Sequence, residues 1–364
     1  MSKRIIGLDG LRGFAALSVV FCHCVAGSTQ TGGYAVNLFF SLSGYLILGT
    51  IYKKRIDIER RLSTFAFELK SFWIRRGTRI FPAYYVVTII ALPLMIYTGR
   101  LTVQESIPFI FYLQNYLIAV NGEWISYGYT WTLAVEQQFY VAFGILMLAI
   151  PSRFHKSTLF AMASLFLFVY IILLTVGVRQ FFLNRMPLLG FSLAAAGGYL
   201  ALAQSSVTPG YIFPRATIPP LVVISAVFSI LPAKIFDGSI FAESTQAVFF
   251  VVAMPAIVIA PQIYPENFLV RILESGTVRF LGKISYSLYL IHGTILDFMK
   301  PAWLKFDNLP FAVSFAMSRL TLFGVVLIAS IGLSTLMLVV VEKPCLQRFR
   351  SRQDSHLPSY LGAI

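Results

Sequence analysis

Apolar runs of membrane-spanning length recur along almost the whole chain, and they constrain the fold more than any other feature. A bilayer core of ~30 Å needs roughly 20 helical residues to cross it. Segments of about that size stand at 11–27, 33–52, 79–98, 129–150, 157–177, 187–204, 218–234, 244–262, 284–300 and 317–341. Backbone N–H and C=O groups in lipid must be satisfied within the spanning element, which leaves helices for runs this long and continuous. Hydrophobic residues make up 57% of the chain and charged residues 12%, about half the charge fraction of a soluble domain. The expected fold is all-α, a polytopic membrane bundle of about ten transmembrane helices. One domain covers 1–346, and a short basic tail follows at 347–364. The stretch 106–120 is apolar but short and carries Gln114 and Asn115. It reads as interfacial or re-entrant.

The net charge of +14 would point to nucleic acid only if the bases clustered on a soluble face. They sort by loop instead, so no nucleic-acid partner is expected. With the N-terminus inside, most lysines and arginines fall on the cytoplasmic side, densest between 53 and 79. This bias places both termini in the cytoplasm. Arg179, Arg185, Lys300 and Lys305 run against it. The segment 53–79 reads as the longest polar loop.

Cys22, Cys24 and Cys345 form no disulfide framework. The C-x-C around His23 offers three ligands on different helix faces, so no metal is expected, and small apolar packing explains the thiols. Polar groups interrupt the first apolar run, which therefore reads as an uncleaved span and not a signal peptide. Gly7, Gly10, Gly13, Gly197 and Gly198 are small residues that let helices approach closely.

Ionisable residues within spans are expensive and mark a functional site by default. Arg12 and His23 lie in the first span. Eleven positions at about 100° each put them on nearly one face, roughly 16 Å apart. Imidazole near its ordinary pKa suits removal of an alcohol proton at neutral pH; the plainer reading is a packing histidine. Arg76 and Arg79, three apart, would present two planar guanidinium forks to one anion, where the plainer reading is positive-inside anchoring. That plainer reading explains Lys53, Lys54, Arg55, Arg60 and Arg61 well. Glu136 is the only carboxylate of its span. It would pair with an arginine, orient His23 or contact substrate, unless it only fixes helix packing. Tyr127, Tyr129 and Trp131 beside it form either an interfacial belt or a platform for a sugar ring. Tyr289 and His292 are three apart in the ninth run, as a packing pair or a second catalytic histidine. His155 and His356 fall in loops and receive no role.

In order and spacing, IGLDGLRGFAALSVVFCH, NLFFSLSGYLI, WIRRGTRIFPAYY, YTWTLAVEQQFYV, LGKISYSLYLIH and VEKP resemble the acyltransferase-3 family of membrane acyltransferases. The resemblance runs from about residue 5 to 346. It implies O-acylation of a cell-surface or exported glycan (an exopolysaccharide or lipopolysaccharide O-antigen) with acyl-CoA, acetyl-CoA above all, as donor, in the bacterial inner membrane. The family's basic-residue-to-histidine motif falls on Arg12 and His23, its Arg-x-x-Arg on Arg76 and Arg79, and its span glutamate on Glu136. The chain departs where Asn37 stands for a frequent acid, Gln137 for a common second glutamate, and Thr132 for the usual serine.

These readings converge on one mechanism. Arg12, Arg76 and Arg79 hold the coenzyme A phosphates, His23 removes the acceptor proton or becomes acylated, and Glu136 assists. Ser41, Ser43 and Tyr289 are candidate oxyanion donors. The implied partners are the lipid bilayer, a glycan or lipid-linked oligosaccharide, and glycan-assembly proteins. The rival is a glycan or lipid transporter or flippase without covalent chemistry, against which stands the lack of an evident inverted repeat. A non-catalytic scaffold would leave the buried ionisable residues unexplained.

Overall fold

The computed structural model describes residues 5–26, 29–204, 239–307 and 315–348, and among them every regular element is helical. The long helices are α1 (Leu8–Phe21), α2 (Thr29–Glu59), α3 (Phe65–Tyr97), α6 (Trp131–Ala149), α7 (His155–Thr175), α9 (Pro187–Gln204), α10 (Ile240–Ile263), α12 (Gly276–Asp307) and α13 (Phe315–Met337). Short helices α4 (Val103–Ile110), α5 (Gln114–Asn121), α8 (Gln180–Arg185) and α11 (Phe268–Leu273) lie between them. Eight helices of the described residues are long and apolar enough to cross a membrane. The expected run 218–234 lies outside the described residues, as does nearly all of the tail 347–364. The expected run 284–300 forms part of α12, whose first turns carry Arg279 and Lys283 ahead of the polar Tyr286, Tyr289 and His292.

Close packing follows the small residues. A Cβ on Gly10 would stand 2.3 Å from the carbonyl oxygen of Leu273, and one on Gly282 only 1.8 Å from that of Asp9, so α1 lies against α11 and α12 backbone to backbone. Gly197 brings α9 equally close to Ser41 of α2. Van der Waals packing at such small-residue seams is a main source of helix association in lipid. One apolar core joins α2, α6, α7, α9 and α10, and a second joins α1, α3, α4, α6 and α12.

Two expectations need correction. The segment 53–79 is not a loop: α2 runs to Glu59 and α3 starts at Phe65, with a turn of five residues between them. Nothing in 53–59 breaks a helix, and the Thr64 hydroxyl caps α3 by accepting from the Phe67 N–H at 3.3 Å. His155, expected in a loop, opens α7 fully buried, 3.0 Å from the Ile150 carbonyl. His356 lies outside the described residues.

The stretch 106–120 divides into α4 and α5 and does not span. Its amide side chains, Gln114 and Asn115, are wholly buried and tie backbone together. The Gln114 amide donates to the Thr130 carbonyl at 3.0 Å, and the Asn115 amide to the Arg185 carbonyl at 3.1 Å. These bonds anchor the turn leading into α6 and the end of α8, both of which border the site.

Candidate active site

Two adjoining cavities occupy the interior, sharing Val36, Phe40 and Tyr289 as a common wall. The first has an open volume of about 830 Å³ and gathers Arg12 from α1, Arg76 and Arg79 from α3, and Glu136 and Tyr140 from α6. Arg76 and Arg79 reach it together because α3 is helical through both, which puts residues three apart on one face. Arg75 turns aside toward Glu68, 3.9 Å away. The Arg12 guanidinium has Asp9 at 3.8 Å, and Arg76 Nε is buried without a hydrogen-bond partner. Three permanent positive charges thus converge on a space whose own lining has one carboxylate. Glu136 accepts from Ser43 Oγ at 2.6 Å and from the Tyr140 hydroxyl.

The second cavity is larger, about 1260 Å³, and His23 lines it together with Val19 of the same helix face. His23 sits in a π-helical turn, Cys22–Ala26, that continues α1. Such wide turns recur at functional sites. Its Nδ1 lies 3.0 Å from Nε2 of His292, and the rings stack at 5.2 Å between centroids. His292 is wholly buried, and its Nδ1 faces the Leu288 carbonyl at 3.2 Å. A carbonyl only accepts, so His292 Nδ1 carries its proton and Nε2 is the lone-pair nitrogen. His23 Nδ1 then donates to it, and the basic lone pair of His23 falls on Nε2. That nitrogen faces Gly32 of α2, where an added Cβ would be 3.9 Å away.

The structure therefore brings Arg12, Arg76, Arg79 and Glu136 into one cavity and sets His23 in the next. Val19 and His23 line the second cavity together and Arg12 the first, with His23 in the π-helical turn that follows α1. The idea that Glu136 orients His23 is replaced: the ring partner is His292. Of the oxyanion candidates, Ser43 is bonded to Glu136, and Tyr289 donates to the Tyr129 carbonyl at 2.6 Å with Thr132 Oγ1 at 2.7 Å. Thr132 thus retains the hydroxyl of the serine it replaces. Ser41 Oγ is buried without a partner, outside both linings. Tyr127 is neither belt nor platform. It is fully buried beside Thr88, and its backbone, in the left-handed region at φ 62°, is held by Asp297 at 3.1 Å. Tyr129 and Trp131 do line the second cavity. Tyr140 went unremarked in the sequence, although its position four residues after Glu136 on a helix was a usable signal.

A helical membrane bundle with an arginine-lined cavity beside a histidine dyad defines a class of buried-site membrane protein. The chain belongs to the acyltransferase-3 family, whose model, described as "Acyltransferase domain", matches residues 5–339. A Staphylococcus aureus (strain COL) protein named "Putative O-acetyltransferase" is 27% identical over 355 residues, 86% of this chain and 56% of that protein. O-acetyltransferase OatA of Staphylococcus aureus (strain NCTC 8325 / PS 47) is 27% identical over 325 residues, 82% of this chain and 52% of the relative. The chain thus spans about half the length of the curated relatives it matches. No solved structure matches it.

Proposed function

We propose that this protein is a membrane O-acetyltransferase that moves an acetyl group from acetyl-CoA to a glycan hydroxyl. The observation that carries the reading is the contact of the His23 and His292 rings, 3.0 Å between ring nitrogens, one cavity away from an excess of arginine. Coenzyme A is a phosphate-bearing anion with a long arm, and planar, always-charged forks suit its phosphates. The buried Arg76 Nε without an acceptor fits such a group.

In this reading the donor's phosphates lie against Arg76 and Arg79 on the cytoplasmic side. Arg12 marks the start of the arm's course along α1, and the acceptor enters the second cavity. The acceptor hydroxyl proton passes to His23 Nε2 as its oxygen attacks the thioester carbonyl. The imidazolium is held by its Nδ1–H bond to neutral His292. The C–S bond breaks, the coenzyme thiolate takes the proton back from His23, and the ester stays on the acceptor. Glu136 orders Ser43 and Tyr140 at the cavity wall and tempers the arginine charge. Both termini and the arginine end of the bundle face the cytoplasm of a bacterial inner membrane, with glycan-assembly proteins as acceptor-side partners.

The test exposes membranes containing the protein to acetyl-CoA radiolabelled in the acetyl group. Label on extracted glycan, absent in membranes with His23→Ala, is the expected result. Glycan translocation without label transfer would replace the enzyme with a flippase. Succinyl-CoA run in parallel fixes the acyl length.

A further inference from the structure

Arg185 breaks the inside-positive pattern of the chain, and its surroundings show that it is not an anchoring charge. It ends α8 only 6% exposed and lines the second cavity, the one that holds His23. The guanidinium is stacked on aromatic faces, 3.5 Å from the Phe181 ring centroid and 4.4 Å from that of Trp124. Nη1 donates to the Phe181 carbonyl at 2.7 Å, while Nε is buried without any acceptor. No ion pair joins Arg185 to a described residue. Burial lowers its pKa to about 10, which leaves it charged at neutral pH. A buried guanidinium without a counter-ion is costly, and stacking orients it without neutralising it.

The rest of the wall has the character of a sugar site. Trp131 and Tyr129 offer flat apolar faces, and Gln180 and Glu243 offer polar atoms. Glu243 lies on α10, unpaired with Arg185, and as a carboxylate it accepts only. It suits hydroxyl or amide N–H groups of a ligand whose anionic group lies at Arg185.

We propose that the second cavity binds an acidic saccharide, with Arg185 as the counter-ion of its carboxylate or phosphate. This deepens the acyltransferase reading, on which it rests in naming the bound sugar the acceptor.

Purified full-length protein in lipid nanodiscs tests the idea through quenching of intrinsic fluorescence, since Trp124 and Trp131 both line the cavity. The probes are methyl glucoside, methyl glucuronide and methyl glucoside 6-phosphate at fixed ionic strength. Wild type is expected to bind at least one acid about tenfold more tightly than the neutral glucoside, the worth of a charge-assisted hydrogen bond. The tighter of the two acids identifies the source as carboxylate or phosphate. Arg185→Gln should bring all three probes to within about twofold of one another, and Arg185→Lys, which keeps charge but loses the fork, should fall between. Equal or absent binding of the three probes by wild type overturns the proposal, even if Arg185→Gln fails to accumulate. So does a preference for acid that survives in Arg185→Gln. Release of coenzyme A thiol from acetyl-CoA by wild type is read separately. Its absence beside an Arg185-dependent preference would remove the transferase and leave the sugar site standing.

Discussion

The arginine cavity and the histidine cavity share a wall, yet three guanidinium groups line the first, while the second sets a single guanidinium, that of Arg185, beside an imidazole. The first concentrates permanent charge: Arg12, Arg76 and Arg79 meet over one lining carboxylate, Glu136. At the wall of the second is the imidazole of His23, in contact with the buried ring of His292 behind it, and an N–H···N bond requires that at least one ring be neutral. A guanidinium stays protonated through any reaction, whereas an imidazole takes and returns a proton near neutral pH. On the proposed reading, donor binding and proton transfer lie on opposite sides of that wall. Substitutions on the two sides should therefore fail in different kinetic terms.

The largest effect is expected on the histidine side. His23→Ala should lower kcat at least 10²-fold, the usual reach of general acid–base catalysis, with the protein still accumulating in membranes. Label transfer from acetyl-CoA measures it, and activity kept at more than a few per cent would remove His23 as the base. Next comes its partner. His292→Ala deletes the acceptor that fixes the His23 tautomer and should cut kcat about tenfold or more while leaving the KM for acetyl-CoA unchanged. A rise in that KM instead would collapse the separation of the two cavities.

On the arginine side the sign of the comparison reverses. Arg76→Ala and Arg79→Ala should each raise the KM for acetyl-CoA about 10–10²-fold, the range of hydrogen bonds to charged groups. Lysine should restore part of it, since the charge remains and the fork is lost. An equal loss from neutralising Lys53, which is exposed, would mean that bulk charge and not a site holds the donor. The smallest effect concerns Lys54, which engages the buried Glu68 together with Ser63 at 2.9 Å. Lys54→Ala should cost about 1–3 kcal/mol of stability by leaving that carboxylate short of a partner. A lower thermal midpoint with no change in KM is the expected signature.

Much of this was legible in the sequence because hydropathy and local spacing are one-dimensional. The presence of most of the spans follows from hydropathy, and the convergence of Arg76 and Arg79 on one cavity follows from helical period, while the bounds of α2, α3 and α12 extend well past the apolar runs. Lys54 was misread because its partner, 14 residues on, lies across a helical turn that looked like loop. Arg185 appeared as an exception to a charge rule, and only its burial gives the exception a meaning. His292 could be named but not assigned, since a contact between residues 269 apart leaves no periodic trace. The hydroxyl of Thr132 is likewise interpretable only beside Tyr289.

The seam between the first helix and α12 has a consequence for how the protein is made. His23 leaves the ribosome early and His292 late, and synthesis at roughly 5–20 residues per second separates them by about 15–50 s. Through that interval the growing chain holds Arg12 and His23 in the membrane without the ring that sets the histidine's tautomer. The glycines at 10 and 282 let the late helix settle directly against the early one. A nascent or truncated chain that stops before α12 therefore contains Arg12 and His23 without His292, and the two imidazoles meet only once α12 has been made and has docked on α1.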